Sequence, residues 1–264
     1  MEWWIVYLLM GLVVGFLAGM LGIGGGLILV TLMVFLFSLQ GFPADRVVHV
    51  ALGTALTSIV FTSISSLRAH HRHGAVRWDI VKMAAPGLVV GTLLGTFVAD
   101  RLASKYLAIF FVAFVYYAAI QMLVDMKPKP TRTVPGWPGM SVAALVTGIV
   151  SSLVGAGGGL LSIPLMTMCN VPMRNAVGTS AALGLPIAIA GAAGYIYTGL
   201  GQDHLPPLTF GYVYVPALVG IVIGTFVTVP VGAKVAHTMP VPRLKKIFAL
   251  LLFLMATRML WTLF

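Results

Sequence analysis

The residues of this chain that are best suited to bind a ligand are two runs of three consecutive glycines. Each run interrupts an uncharged apolar stretch, although a glycine inside a helix costs about 1 kcal/mol relative to alanine. A glycine turn exposes the N–H groups that begin the next helix, and such groups donate to anions. We expect the two turns to converge on one anion site, with backbone from Gly24, Gly25, Gly26, Gly157, Gly158 and Gly159.

Polar residues follow each run at corresponding positions. His49, Gly53 and Thr57 are spaced by four and share one helical face, and Arg174 aligns with His49 in the other half. Two interpretations stay open for each basic residue. His49 is a site residue or a hydrogen-bonded structural histidine, and Arg174 is a site residue or an anchor at the lipid headgroups. The candidate substrate-binding side chains are His49, Thr54, Thr57, Arg174, Asn175, Thr179 and Ser180.

The two halves of the chain repeat these features in the same order. The segment "GFLAGMLGIGGGL" (15–27) recurs without a gap as "GIVSSLVGAGGGL" (148–160), and later segments ending in "LLGTF" and "VIGTF" also correspond. Between the halves lies a stretch rich in proline and basic residues, "DMKPKPTRTVPGWPG". We therefore predict a first transmembrane repeat at 1–124, a cytoplasmic linker at 125–140 and a second transmembrane repeat at 141–264.

The composition is typical of a polytopic helical membrane protein. Of 264 residues, 59% are hydrophobic and only 8% are charged, and apolar runs of about 20 residues recur. The net charge of +10 comes from short loops, which fits membrane topology and argues against nucleic-acid binding. The single cysteine, Cys169, excludes an internal disulfide. The N-terminal segment lacks a cleavage signal, so we expect it to remain in the mature protein.

The basic residues favour glycine runs that turn the chain back. If each run crossed the membrane, the loop at 199–207, which has no Lys or Arg, would lie inside. If each run returns to its starting side, most loop Lys and Arg fall inside, as the positive-inside rule requires, and both termini lie outside. We predict an all-α polytopic fold of two inverted-topology repeats, each a glycine-broken hairpin plus three spanning helices, with 8–10 segments. Whether the hairpin arms span fully or re-enter stays open.

Acidic residues are missing from the predicted spans. All six fall in loops or at helix ends, whereas cation and proton pathways normally use a carboxylate inside the membrane. The histidine-rich "RAHHRHG" (68–74) contains two arginines that oppose a cation, so we interpret it as a solvated cytoplasmic loop. We expect no metal, no cofactor and no enzyme activity, and a substrate that is an anion.

The doubled glycine motif resembles the TauE/SafE family of sulfite exporter-type bacterial membrane proteins. The resemblance rests on "LGIGGGLILV", "VGAGGGLLSIPLM" and the "GTS" at 178–180, and it covers nearly the whole chain. The family's Val/Ile-Pro step after the glycines is present at Ile163-Pro164, but Val30-Thr31 replaces it in the first half.

The resemblance implies a secondary transporter in the bacterial inner membrane. Its substrate would be a small sulfur-containing anion such as sulfite, thiosulfate or an organosulfonate, moved by alternating access. An anion channel, and a membrane-embedded enzyme or assembly factor that handles a sulfur carrier or lipid, remain as alternatives. A coupling proton or ion and a homo-oligomer also stay open.

Overall fold

The computed structural model describes residues 3–21, 25–124, 133–236 and 241–263, which form ten α-helices and one short β-hairpin. The helices are α1 (Trp3–Leu21), α2 (Gly26–Leu39), α3 (Val47–Arg72), α4 (Trp78–Arg101), α5 (Ser104–Val124), α6 (Trp137–Val154), α7 (Gly159–Met168), α8 (Met173–Gly199), α9 (Val215–Ala236) and α10 (Val241–Leu263). Strands β1 (Thr209–Phe210) and β2 (Val213–Tyr214) pair antiparallel between α8 and α9. Within the described ranges, six helices are long and apolar enough to cross a membrane, namely α3, α4, α5, α6, α8 and most of α9. The all-α polytopic membrane fold is thereby confirmed.

The first turn of α6 falls within the segment predicted as the linker. Residues 125–132 of the predicted linker lie outside the described residues. Helix α6 begins at Trp137, inside the range predicted as linker, with Pro138 in its first turn. Proline is tolerated there because the first N–H groups of a helix have no partner within the helix.

Each glycine run separates a long helix from a short one. Helix α2 has 14 residues and α7 has 10, which correspond to rises of about 21 and 15 Å. Both are shorter than the roughly 30 Å hydrocarbon core of a bilayer. The Gln40 amide, just after α2, donates to the Tyr7 hydroxyl in α1, so α2 returns to the end of the bundle where α1 begins.

Glycines allow two pairs of helices to pack in parallel at very short range. A Cβ atom on Gly11 of α1 would lie 2.6 Å from the Ile221 carbonyl oxygen of α9, and one on Gly15 would lie 2.6 Å from the Thr225 Cα. Helix α4 packs against α6 in the same way, since a Cβ atom on Gly95 would lie 2.8 Å from the Ile149 carbonyl oxygen. The glycines spaced by four are therefore close helix contacts, as is usual in membranes.

The other main contacts cross between the halves as well. Helices α3 and α8 run antiparallel through the core, since Gly53 faces Tyr195 and Ser63 faces Gly184. Helices α5 and α10 pack together, and the Tyr116 and Thr257 hydroxyls are 2.8 Å apart. We name the two ends of the bundle by their loops: the 73–77 end, where α3 ends and α4 and α8 begin, and the 200–214 end, where α3 begins and α8 ends.

Candidate functional site

The two glycine turns meet inside the bundle. A Cβ atom on Gly26, at the start of α2, would overlap the carbonyl oxygen of Gly155, which ends α6. The second turn also contacts α8, because a Cβ atom on Gly184 of α8 would lie 3.0 Å from the Gly157 carbonyl oxygen. Gly25 and Gly158, which precede α2 and α7, adopt left-handed backbone with φ of 43° and 79°. The turns therefore depend on glycine both for their backbone angles and for their close approach.

A cavity of about 270 Å³ opens beside the second turn. It reaches along α3 toward the 73–77 end and is bounded by α1, α8 and α9. A water occupies about 30 Å³ in the liquid, so the volume is enough for a small anion with several waters. Its lining residues are Ala18, Gly19, Ile59, Thr62, Ser63, Ser65, Ser66, Ala69, His70, Gly157, Gly159, Ser180, Ala181, Gly184, Val229 and Pro230.

Among the described residues, the cavity wall offers hydroxyl donors and no carboxylate. The hydroxyls come from α3 and from Ser180 on α8. Ser180 is only 3% exposed. Gly159 is the first residue of α7, so the N-terminal end of that helix also borders the cavity. Helix N-termini and hydroxyl groups both stabilise negative charge, and an acidic residue would oppose it.

Part of the predicted site lies at this cavity. Gly157, Gly159 and Ser180 line it, and Gly158 lies between the two lining glycines. Gly25 and Gly26 belong to the first turn, which touches the second through Gly155. Gly24 lies outside the described residues.

Three predicted site residues hold the loop between α3 and α4 instead. The Arg174 guanidinium donates to the His73 carbonyl oxygen at 2.7 Å, and the Asn175 amide donates to the Ala75 oxygen at 3.3 Å. The Thr179 hydroxyl accepts from the Arg77 backbone N–H at 3.0 Å. These contacts seat the 73–77 loop on the start of α8, next to the cavity mouth.

The remaining candidates lie toward the other end of α3. His49 is fully buried, with Nε2 2.9 Å from the Ala99 oxygen and Nδ1 3.2 Å from the Ser104 hydroxyl. Thr54 accepts from the Tyr214 backbone N–H, and Thr57 donates to the Gly53 oxygen. This geometry favours the structural interpretation of His49, which ties α3 to α4 and α5.

Several cavity residues were missed in the sequence because α3 is longer than expected. The sequence predicts a solvated loop at 68–74, but α3 continues through Arg72 and places His70 on the cavity wall. The signal was the spacing of Ser63, Ser66 and His70, which share one face of a helix. The apolar pattern ends before the helix does, since the last turns of α3 carry His and Arg at the 73–77 end.

A polar and aromatic cluster lies at the 200–214 end. The Tyr212 hydroxyl donates to Asp100 Oδ1 at 2.8 Å and accepts from the Arg46 guanidinium at 2.9 Å. Burial, together with the Asp100 carboxylate, raises the pKa of the Tyr212 phenol above its ordinary value, which keeps the donor protonated. Beside it, the rings of Phe37 and Phe42 stack with centroids 4.6 Å apart.

Comparisons with known proteins agree with this architecture. A probable membrane transporter protein of Haemophilus influenzae is 35% identical over 253 residues, covering 96% of each chain. A probable membrane transporter protein of Bacillus subtilis is 28% identical, covering 89% of this chain and 90% of its own. No solved structure matches the chain. The model of the family described as "Sulfite exporter TauE/SafE" matches residues 7–259. With its glycine turns, polytopic helical fold and near-complete family match, the chain belongs to the TauE/SafE family.

Proposed function

We propose that this protein is a secondary transporter that moves a small sulfur-containing anion across the bacterial inner membrane by alternating access. The observation that carries the proposal is the cavity beside the second glycine turn, bounded by Gly157, Gly159 and the hydroxyls of α3 and α8. Irregular backbone at membrane depth is tolerated where it lines a cavity, and in transporters such broken helices hold the substrate.

The chemistry of the wall supports an anionic substrate. Ser180 and the start of α7 provide donors from one side, and Ser63 and Ser66 provide them from the other. The described residues of this wall include no Asp or Glu, which disfavours a metal cation or an ammonium as cargo. The choice of a sulfur oxyanion within that class comes from the family description and awaits a direct test.

The unequal ends of the bundle support alternating access. The cavity extends toward the 73–77 end, whereas the cluster of Arg46, Tyr212 and Asp100 lies at the 200–214 end. Contacts between the halves also occur in exchanged pairs, with α1 against α9 and α6 against α4. This exchange supports our proposal that the halves are inverted repeats, which supply two related conformations by rocking against each other.

The charges assign the open end to the cytoplasm in this proposal. Arg68, Arg72, Arg77 and Arg174 lie at the 73–77 end, and three basic residues, Arg46, Arg101 and Lys105, lie at the other end, where the loop at 200–214 contains no Lys or Arg. By the positive-inside rule the cavity then opens inward and both termini lie outside. A negative-inside membrane potential favours anion efflux by about 2.3 kcal/mol per charge per 100 mV, so export needs no coupling ion.

Solute counterflow in proteoliposomes tests the proposal. Vesicles are preloaded with unlabelled thiosulfate or sulfite, and radiolabelled anion is added outside at trace concentration. A carrier exchanges the two and accumulates label transiently above equilibrium, and we expect that overshoot to be absent from protein-free vesicles.

Two results would contradict it. Label that equilibrates without an overshoot would indicate a channel, the main alternative. An overshoot that a carboxylate of matched size produces equally well would remove the sulfur anion from the proposal and leave a general anion carrier.

A further inference from the structure

His70 differs from the other described residues of the cavity wall because its side chain can change charge near neutral pH. The rest of that wall consists of glycine, alanine, serine, threonine, proline, valine and isoleucine. An imidazole ordinarily titrates at about pH 6.5, so its neutral and its positive form are both accessible in a cell. His70 can therefore present a positive ring to an anion in the cavity.

The geometry of α3 places His70 on the same face as the hydroxyl donors of the cavity. Ser63 and Ser66 precede His70 by seven and four residues, and all three line the cavity. The Ser63 hydroxyl lies at the level of Gly184 in α8, next to the second glycine turn. His70 lies about 10 Å further along α3, toward the 73–77 end. An anion that enters from that end passes His70 before it reaches the turn.

The His70 imidazole has no hydrogen-bond partner among the described residues, and the residue is partly exposed. The adjacent His71 differs, because its Nδ1 accepts from the Trp78 indole N–H at 3.2 Å and its side chain is outside the cavity wall. A protonated imidazole has two N–H donors. The donors of His70 are therefore available to a ligand in the cavity.

The charges around His70 leave its protonated ring without a carboxylate. The parts of the wall that come from α1, α7, α8 and α9 contain no ionisable side chain among the described residues. Asp79, at the start of α4, is hydrogen-bonded to the Arg77 guanidinium at 2.9 Å. The remaining ionisable groups described at this end are basic, namely Arg68, His71, Arg72, His73, Lys82 and Arg174. An anion in the cavity would supply the missing negative charge, and it would stabilise the protonated ring.

We propose that protonated His70 binds the transported anion, so that the anion and a proton bind to the cavity together. The inference rests on the proposed function, since it assigns a cationic partner to the anion of that cavity. The imidazolium is the form present at lower pH, so the affinity for the anion rises as the pH falls. By linkage, the bound anion raises the affinity of His70 for its proton by the same factor.

Calorimetric titration of the purified protein with thiosulfate and with sulfoacetate tests the inference, because the charge of both anions is constant near neutral pH. We expect the wild type to bind at least one of them about tenfold more tightly at about pH 6 than at about pH 8. Titrations in buffers with different enthalpies of ionisation measure the protons taken up. We expect net proton uptake by the wild type on binding at neutral pH.

Three variants, each eluting as one species of unchanged helicity, separate the charge of His70 from its packing. His70→Gln should bind the anion weakly at both pH values and take up no proton, because the charged donor is lost. His70→Arg should bind tightly at both pH values, because a guanidinium keeps its charge. His71→Gln is the matched control and should keep the pH dependence and the proton uptake of the wild type.

Two results would overturn the inference and leave the proposed function in place. One is equal affinity of the wild type for the anion at the two pH values, and the other is wild-type pH dependence and proton uptake in His70→Gln. Failure of the wild type to bind either anion at either pH would instead contradict the proposed function, and the inference with it.

Discussion

At the scale of single residues, the cavity separates groups that face a substrate from groups that hold helices together. Ser180 is buried and lines the cavity, whereas both ring nitrogens of His49 form hydrogen bonds to neighbouring helices. Sequence position alone could not make this distinction, because both residues follow a glycine run by a similar interval and both are polar within an apolar stretch.

Removing the Ser180 hydroxyl should weaken substrate binding with little effect on stability. We expect Ser180→Ala to raise the apparent KM for the transported anion about two- to tenfold, the range of one net hydrogen bond. The matched control is Ser151→Ala, because Ser151 is a fully buried serine that does not border the cavity and its hydroxyl has no partner in the described part of the chain. Concentration-dependent flux of the two variants measures the effect, and equal KM values would place Ser180 outside the substrate site.

At the scale of elements, the sequence could predict the broken helices and the helix faces that pack closely. The triple glycines indicate both turns, and glycines spaced by four, such as Gly91 and Gly95, indicate a face for close packing without identifying the partner helix. The polar cavity wall from Ser63 to His70 is harder to predict from the sequence, since it depends on how far α3 continues beyond its apolar residues. Which helices would meet across the halves also depends on long-range packing, which no local pattern encodes.

The geometry of the second turn also decides which glycine gives an interpretable variant. Gly158 has φ of 79° and Ile187 Cδ1 only 2.6 Å from a built Cβ, so any larger residue there strains the backbone and the packing. Gly157 has no positive φ, and among the described residues a Cβ there would contact only Ile59 Cγ2, at 3.6 Å. A side chain at 157 should therefore obstruct the cavity without unfolding the turn.

At the scale of the whole molecule, the orientation in the membrane follows from charge and can be measured directly. Cys169 is first replaced by serine, and single cysteines are then placed at Asp203 and at His73, which are exposed at opposite ends of the bundle. In intact cells we expect an impermeant thiol reagent to label the cysteine at 203 and not the one at 73, because the end richer in arginine stays inside. The reverse pattern would invert the proposed topology, and labelling of both before lysis would mean that the protein is not uniformly oriented.

We propose that a small sulfur-containing anion binds in the cavity beside the second glycine turn. The most direct measurement is calorimetric titration of the purified protein with sulfite, thiosulfate, sulfoacetate and a carboxylate of matched size, in the wild type, in Gly157→Leu and in Gly201→Leu. Gly201 is the control because it is an exposed loop glycine, and no atom of the described residues lies within 4 Å of a Cβ placed on it. We expect at least one sulfur anion to bind to the wild type and to Gly201→Leu with the same affinity, and Gly157→Leu, folded and monodisperse, not to bind it. Binding of that anion to Gly157→Leu with the wild-type affinity would place the anion site elsewhere in the protein.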